Sequence, residues 1–309
     1  MLDELDRKLI IQLYSNSRQS NRQLAMNLGV DEATIRRRIR YLVSSGAMIL
    51  TALPDLTTFG LPVRGHLVIR ADHTKIEQIG EQLCQIPCLR FIARCAGSAD
   101  MVIRGDFESL DSMMNLVINN IGKIEGVSFI ETMIECQRLK FVYNRVGITS
   151  FSEKPKPEKE IKLSSVDHQL ILLLQKDARS PLKELAQQIG VSNATISRRI
   201  RDLVNAGVIT LSAITDNTKV GYPIRCSVRI ETDPSRTMEV AKLLTQYPQV
   251  TYAALVSGPI QILAGMQLIS ADELSDFVDK ELNKIRGTVR IEVLTYLKLL
   301  KRHLSWLQE

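Results

Sequence analysis

The sequence predicts an α+β protein made of two copies of one unit, each a three-helix segment followed by a βαββαβ module. Three observations carry this reading. The stretch ATIRRRIRYL at 33–42 returns as ATISRRIRDL at 194–203, an offset of 161 (194 − 33). The same offset joins Asp6 to Asp167, Arg18 to Arg179, Gly29 to Gly190, Gly97 to Gly258 and Gly126 to Gly287 with no gap, the signature of internal duplication. Within each copy the apolar period shifts from helical to alternating, as expected where helices give way to strands and helices in turn.

The first helix is placed at 5–15, where Leu5, Leu9, Ile10 and Leu13 share a face. Ser20 and Gln23 have capping-box spacing and open a second helix that ends at Gly29; Asp31 is the expected N-cap of the third. A short helix, a glycine turn and an amphipathic helix outline a helix-turn-helix. In the third helix Ile35, Ile39, Leu42 and Val43 fall on the core side. Ala33, Thr34, Arg37, Arg40 and Tyr41 point outward, and Arg36 and Arg38 flank the seam. Small residues at the N-terminal end and forked guanidinium groups beyond it suit the major groove of double-stranded DNA; the alternative is a solvated basic face. The second copy presents Ala194, Thr195, Arg198, Arg201 and Asp202, with Ser197 in place of Arg36 and Arg199 at the seam. Its reading face is less basic, so the two copies are expected to favour unequal half-sites.

After a segment ending in FGLP, strands are expected at 63–72, 88–97, 99–106 and 127–141, with helices at 74–86 and 109–126 between them. Strand, helix, strand, strand, helix, strand is the split βαβ order, a four-stranded antiparallel sheet with both helices on one face. The other face needs a cover, which the second module can supply as an internal pseudo-dimer. Expected domains are therefore 1–50 and 51–149, a charged, proline-containing linker at 150–163, then 164–210 and 211–309. Ser180 and Pro181 are placed as N-cap and first residue of the second copy's second helix.

Composition sets bounds on function. A chain of 309 residues with 45% hydrophobic content accommodates two to four domains, and a net charge of +6 permits an anionic partner without requiring one. The five cysteines Cys84, Cys88, Cys95, Cys136 and Cys226 form no CxxC and no zinc-ligand spacing; they are expected to be reduced, in a cytoplasmic protein. No metal site and no cofactor is expected. The N-terminus has acids where a secretory signal needs a basic start, and no apolar run approaches the ~18 residues of a membrane span. P-loop, GxGxxG, HExxH and GxSxG patterns do not occur.

Each half opens with LDRKLI or VDHQLI, carries a helix-turn-helix of the ELAQQIGVS kind closed by SGAMI or AGVIT, and continues into the βαββαβ module. In these features the chain resembles a tandem fusion of two Lrp/AsnC (feast/famine) transcriptional regulators. The resemblance implies a ferredoxin-like ligand-binding and dimerisation domain in each copy, double-stranded DNA as partner, and a homo-oligomer. It also implies a small effector, such as an amino acid, near the loop between the second and third strands. There the family's GDYDY-like motif reads Gly97, Ser98, Ala99, Asp100 and Met101, and Thr132 matches a family threonine near the site. Asp100 can accept from an effector ammonium or brace its own loop. The second copy reads Gly258, Pro259, Ile260, Gln261 and Ile262, without a carboxylate, so one effector site per chain is expected, in the first half.

Siroheme decarboxylases resemble the same architecture, with a pocket turned catalytic by His and Arg residues. Of His66, His73, His168 and His303, only His66, on a strand near Arg64, is a candidate for such a role, and a structural histidine is the alternative. Other readings are thus that enzyme and a sequence-indifferent architectural protein; the leading one is a non-enzymatic, sequence-specific regulator without catalytic residues.

Overall fold

Helices α1 (Glu4–Ser15), α2 (Asn21–Leu28) and α3 (Glu32–Ser44) form where the apolar period places them. The computed structural model describes residues 2–143, 145–146 and 162–302; the expected linker lies outside them apart from Lys162 and Leu163, as does His303. Asp3 and Asp6 close a capping box on α1, and Asp31 accepts from the Thr34 N–H to cap α3. Ser20 caps α2 through the Gln23 N–H, but the reciprocal half of the expected box is replaced, because the Gln23 amide donates to Asn27 at 2.8 Å. Val43 stays 42% exposed, so the core side of α3 is narrower than expected at its last turn. The second copy repeats the set as α6 (Ser165–Lys176), α7 (Leu182–Ile189) and α8 (Asn193–Asn205). At α7 Pro181 is itself the N-cap and Ser180 does not cap; the Ser180 carbonyl instead accepts from Arg18 at 3.1 Å.

The expected domain boundaries at 50/51 and 210/211 fall inside strands. Strand β1 (Met48–Pro54) pairs antiparallel with β6 (Ile209–Thr215) over its full length, from Met48 opposite Thr215 to Pro54 opposite Ile209. This ribbon joins the helical units, whose buried residues form one continuous core including Leu9, Leu42, Leu170 and Leu203. The contacts are reciprocal under the 161-residue offset. Arg18 donates to the Ala178 carbonyl at 2.7 Å, and Arg179 donates to those of Ser17 and Gln19 at 3.0 and 2.8 Å. Thr51 donates to the Gln175 carbonyl at 2.9 Å, and Ser212 donates to that of Tyr14 at 2.8 Å. The two helix-turn-helix units are therefore one body with a pseudo-two-fold axis.

The first module comprises β2 (Val63–Ala71), α4 (Ile76–Cys84), β3 (Leu89–Ala96), β4 (Met101–Phe107), α5 (Leu110–Asn119) and β5 (Val127–Phe141). The second comprises β7 (Ile224–Thr232), α9 (Thr237–Gln246), β8 (Val250–Val256), β9 (Ile262–Leu268), α10 (Ala271–Lys280) and β10 (Thr288–Arg302). Leu67, Ile69, Ile103 and Met113 pack on the helix-covered face of the first sheet. On the opposite face Val68, Val102 and Met133 meet Tyr252, Ala254 and Leu263 of the second module, as alternation along a strand requires when both faces are covered.

The modules do more than stack. The fifteen-residue strand β5 pairs with β2 through Ile134 and from Glu135 onward with β8 of the other module. Likewise β10 pairs with β7 up to Thr295 and then with β3. The result is a closed eight-stranded barrel in the order β10, β3, β4, β2, β5, β8, β9, β7, a closure that leaves no open sheet edge. Arg18→Ala and Arg179→Ala are each expected to lower unfolding free energy by about 1.5–3 kcal/mol, the range for hydrogen bonds from a charged donor. Urea denaturation checks this, and losses below about 0.5 kcal/mol at both positions would contradict the junction's role.

Candidate nucleic-acid interface and barrel cavity

On α3 the side chains of Ala33, Arg36, Arg37, Arg40 and Tyr41 are exposed and Thr34 is half-buried; on α8 Ala194, Ser197, Arg198 and Arg201 are exposed and Thr195 is half-buried. These residues form one basic face per copy. Arg38 and Arg199 depart from the expected set. Arg38 turns back to Asp3 at 2.6 Å and to buried Asp6 at 3.2 Å. Arg199 likewise holds buried Asp167, its Nε 2.7 Å from the carboxylate. The seam position points them at the first helix of their own unit, and the Asp3 hydrogen bond raises the Arg38 pKa further. They anchor the recognition helices.

The loop at Gly97, Ser98, Ala99 and Asp100 is placed differently from an open ligand clamp. Gly97 has φ +132° and lies so close to β10 that a Cβ there would sit 2.8 Å from Leu294 Cδ2 and 2.9 Å from the Val293 carbonyl. Ala99 is buried in the inter-module core, and Thr132 is half-buried on β5. One Asp100 oxygen accepts from the Ala71 N–H at 2.9 Å, while the other lies 3.5 Å from His73 Nδ1. In the second copy the Gln261 amide oxygen accepts from the Thr232 N–H, also at 2.9 Å. Position 100 thus performs the same backbone bracing with or without a charge. Ser98 does line a cavity of about 260 Å³ between the modules, with Arg70, Glu131 and Pro259.

A second cavity, of about 120 Å³, lies inside the barrel. Its polar lining includes His66, Arg104, Asn217, Arg225, Gln267 and Arg302, with Phe91, Phe141, Tyr143, Tyr252 and Tyr296 as aromatic walls. His66 is 5% exposed. The Tyr252 hydroxyl donates to Glu135 at 2.6 Å and lies 2.9 Å from His66 Nε2; an Nε2–H tautomer then donates to the phenol oxygen. Burial lowers the His66 pKa against the pull of Glu135. Burial also opposes ionisation of Glu135, but the His66 imidazole 3.5 Å away and the Arg64 charge outweigh it and hold the carboxyl at about 2. Arg64 is in turn 2.6 Å from Asp106. Tyr252 is pushed well up by burial and by the neighbouring carboxylate.

Sequence reasoning found His66 but missed Arg104, Glu135, Arg225, Tyr252 and Arg302. The signal that could have found them is the offset itself: Arg104 faces Gly265 across the duplication, Phe141 faces Arg302, and Glu135 faces Tyr296. No group of three or more His, Cys, Asp or Glu is placed to hold a metal among the described residues, and all five cysteines are unpaired.

The Glu135 carboxyl, ordinarily 4.5 and here at about 2, contributes stability that is complete above pH 4.5 and is lost as pH falls toward 2. The linked free energy is on the order of 3 kcal/mol. Thermal midpoints measured across this acid range should fall more steeply for the unaltered chain than for Glu135→Gln; parallel profiles would contradict the buried ion cluster.

The pattern of the Lrp/AsnC ligand binding domain matches residues 67–143 and 225–306, that of the AsnC-type helix-turn-helix domain residues 2–43, and that of winged helix-turn-helix DNA-binding residues 163–210. The HTH-type transcriptional regulator LrpA of Pyrococcus horikoshii is 29% identical over 136 residues, covering 44% of this chain and 96% of LrpA. An uncharacterised HTH-type transcriptional regulator of the same organism is 28% identical over 143 residues, covering 45% of this chain and 90% of that protein. Such relatives correspond to one copy of the repeat. The siroheme decarboxylase NirDL superposes with a TM-score of 0.68 at 13% identity, covering 97% of this chain and 93% of that one, a likeness of fold. No helix among the described residues is long and apolar enough to cross a membrane. The duplicated helix-turn-helix and ligand-binding domains place the chain in the Lrp/AsnC family of transcriptional regulators, as a tandem fusion.

Proposed function

We propose that this regulator binds double-stranded DNA sequence-specifically through α3 and α8 together, with Ala33, Thr34, Arg36, Arg37, Arg40 and Tyr41 reading one half-site and Ala194, Thr195, Ser197, Arg198 and Arg201 the other. The observation that carries this is the pair of exposed arginine faces fixed to one body by the β1–β6 ribbon. A rigid pair of heads requires half-sites on one side of the duplex, spaced by about one helical turn or a multiple. Because Arg36 and Tyr41 correspond to Ser197 and Asp202, the half-sites differ in sequence. Further copies of the chain associate through surfaces outside the barrel seam, which is satisfied within one chain.

An amino-acid effector at the first-copy loop is supported by Ser98 in the cavity between the modules; one Asp100 oxygen is engaged by the Ala71 N–H of β2. A second reading, catalysis on a tetrapyrrole, is favoured by the full-length fold likeness and by His66 on the barrel cavity. The cavity, at about 120 Å³, is small beside the roughly 300–1,000 Å³ of ordinary ligand pockets. An ultraviolet-visible titration with iron-uroporphyrin that produces no spectral change would remove that reading.

Fluorescence anisotropy on a cognate duplex across a salt series tests the DNA assignment. Arg37→Ala with Arg40→Ala, and Arg198→Ala with Arg201→Ala, are each expected to weaken binding at least tenfold and to flatten the salt dependence by about one unit of slope for each phosphate no longer neutralised. Arg38→Ala is expected to lower the melting temperature while leaving that slope unchanged. Wild-type failure to bind any duplex at low salt, or unaltered binding by both double variants, would overturn the proposal.

A further inference from the structure

The barrel interior differs between the two copies in one specific respect, the compensation of charge. In the first copy Arg64 stands directly across from Asp106 on the neighbouring strand, 2.6 Å away, and Glu135 lies 3.6 Å from its other side. The same cross-strand pair in the second copy is Arg225 and Gln267, and the position of Glu135 is taken by Tyr296. The arginine is common to both copies, and its two acids occur only in the first.

Two further arginines without a counterpart in the other copy converge there. Arg104 corresponds to Gly265, and Arg302 corresponds to Phe141. Arg104, Arg225 and Arg302 all line the 120 Å³ cavity, and no Asp or Glu among the described residues does. None of the three has an ion pair with a described residue. Among the described residues Arg302 donates to the Thr215 carbonyl, at 3.3 Å, and Arg225 rests against the rings of Phe91 and Tyr296. The nearby carboxylates are absent from the described lining and engaged elsewhere: Asp216 accepts from the Thr218 N–H, Glu135 accepts from the Tyr252 hydroxyl, and Asp106 pairs with Arg64. Burial together with mutual repulsion holds Arg302 down at about 10.

Neutral groups tell the same story. Asn217 is 1% exposed and neither its amide oxygen nor its nitrogen has a partner; the Gln267 amide oxygen, in a residue 7% exposed, and the Arg104 Nε are also unsatisfied. All three line the cavity. Buried donors without acceptors and uncompensated guanidinium groups each cost free energy unless a ligand supplies what they lack. Guanidinium forks match carboxylate oxygens bidentately, and the aromatic walls suit a short carbon skeleton.

We propose that the barrel cavity is a binding site for a small organic acid carrying two or more carboxylates, held by Arg104, Arg225 and Arg302. The cavity is distinct from the loop at Gly97 and from the DNA-facing helices, and it occurs once per chain because the first copy's equivalent positions are neutralised by Asp106 and Glu135.

Isothermal titration calorimetry and thermal melting of the full chain with acetate, succinate, citrate and inorganic phosphate, at constant ionic strength, test the site. Succinate or citrate is expected to bind with one site per chain and to raise the melting temperature by several degrees, with acetate at least tenfold weaker. Gln267→Asp restores across from Arg225 the acid that the first copy retains. It is expected to raise the melting temperature of the free protein and to abolish the response to acid. Arg302→Phe, which copies the first-copy residue, is expected to weaken binding at least tenfold. Binding by phosphate alone, binding that survives Gln267→Asp, or no binding by any of the four anions would overturn the proposal.

Discussion

Strands β5 and β10 close the barrel, and the other features of the molecule follow from that closure. Each strand serves its own sheet with one half and the opposite module with the other, so neither module has a complete sheet alone. An isolated module would expose two unpaired strand segments and its apolar inner face, which carries Val68 and Val102 in the first module and Tyr252 and Leu263 in the second. Pairing within one chain fixes the stoichiometry of that seam at one to one. It also brings residues of unlike copies to the same interior, which a homodimer of identical subunits cannot do.

That last point explains how the duplication has been used. In a symmetric pair, any change at an inward strand position appears twice across the two-fold axis. In a fused chain it appears once. The pairs Arg104 with Gly265, Phe141 with Arg302 and Glu135 with Tyr296 show charge and size differing around a cavity while apolar positions such as Leu67 and Val228 are buried in both copies. The DNA-facing helices follow the same logic. Ile35 and Ile196 are both fully buried, Asp6 and Asp167 each hold a seam arginine, and the divergence falls at positions such as 36 and 197 that face outward.

Much of this was legible in the sequence because it is local or repeated. The helices of both helix-turn-helix units follow from apolar spacing and capping residues, and the βαββαβ order follows from alternation and glycine breaks. The ribbon β1–β6 was not, because Met48 finds its partner at Thr215, and a strand whose pairing lies that far along the chain has no local signature. The continuation of β5 past Ile134 was hidden for the same reason. Helical position sets Arg38 at the seam and Arg37 outside it, but the partner of Arg38 is Asp6, thirty-two residues earlier, reached only once α1 and α3 pack. Asp100 reads as a ligand group or a brace, and one of its oxygens makes the same bond to a backbone N–H that Gln261 makes in the second copy. The cavity was encoded in the offset between copies, but recognising it required knowing which strand positions face inward.

If one fused chain carries two rigidly coupled, chemically different DNA-reading heads, the sequences it selects must show it. Selection of bound duplexes from a randomised pool with the purified full-length protein should return a two-part site with unequal halves, at a fixed spacing of about one helical turn or a multiple. A perfectly palindromic site, freely variable spacing, or retention without sequence preference would contradict that coupling.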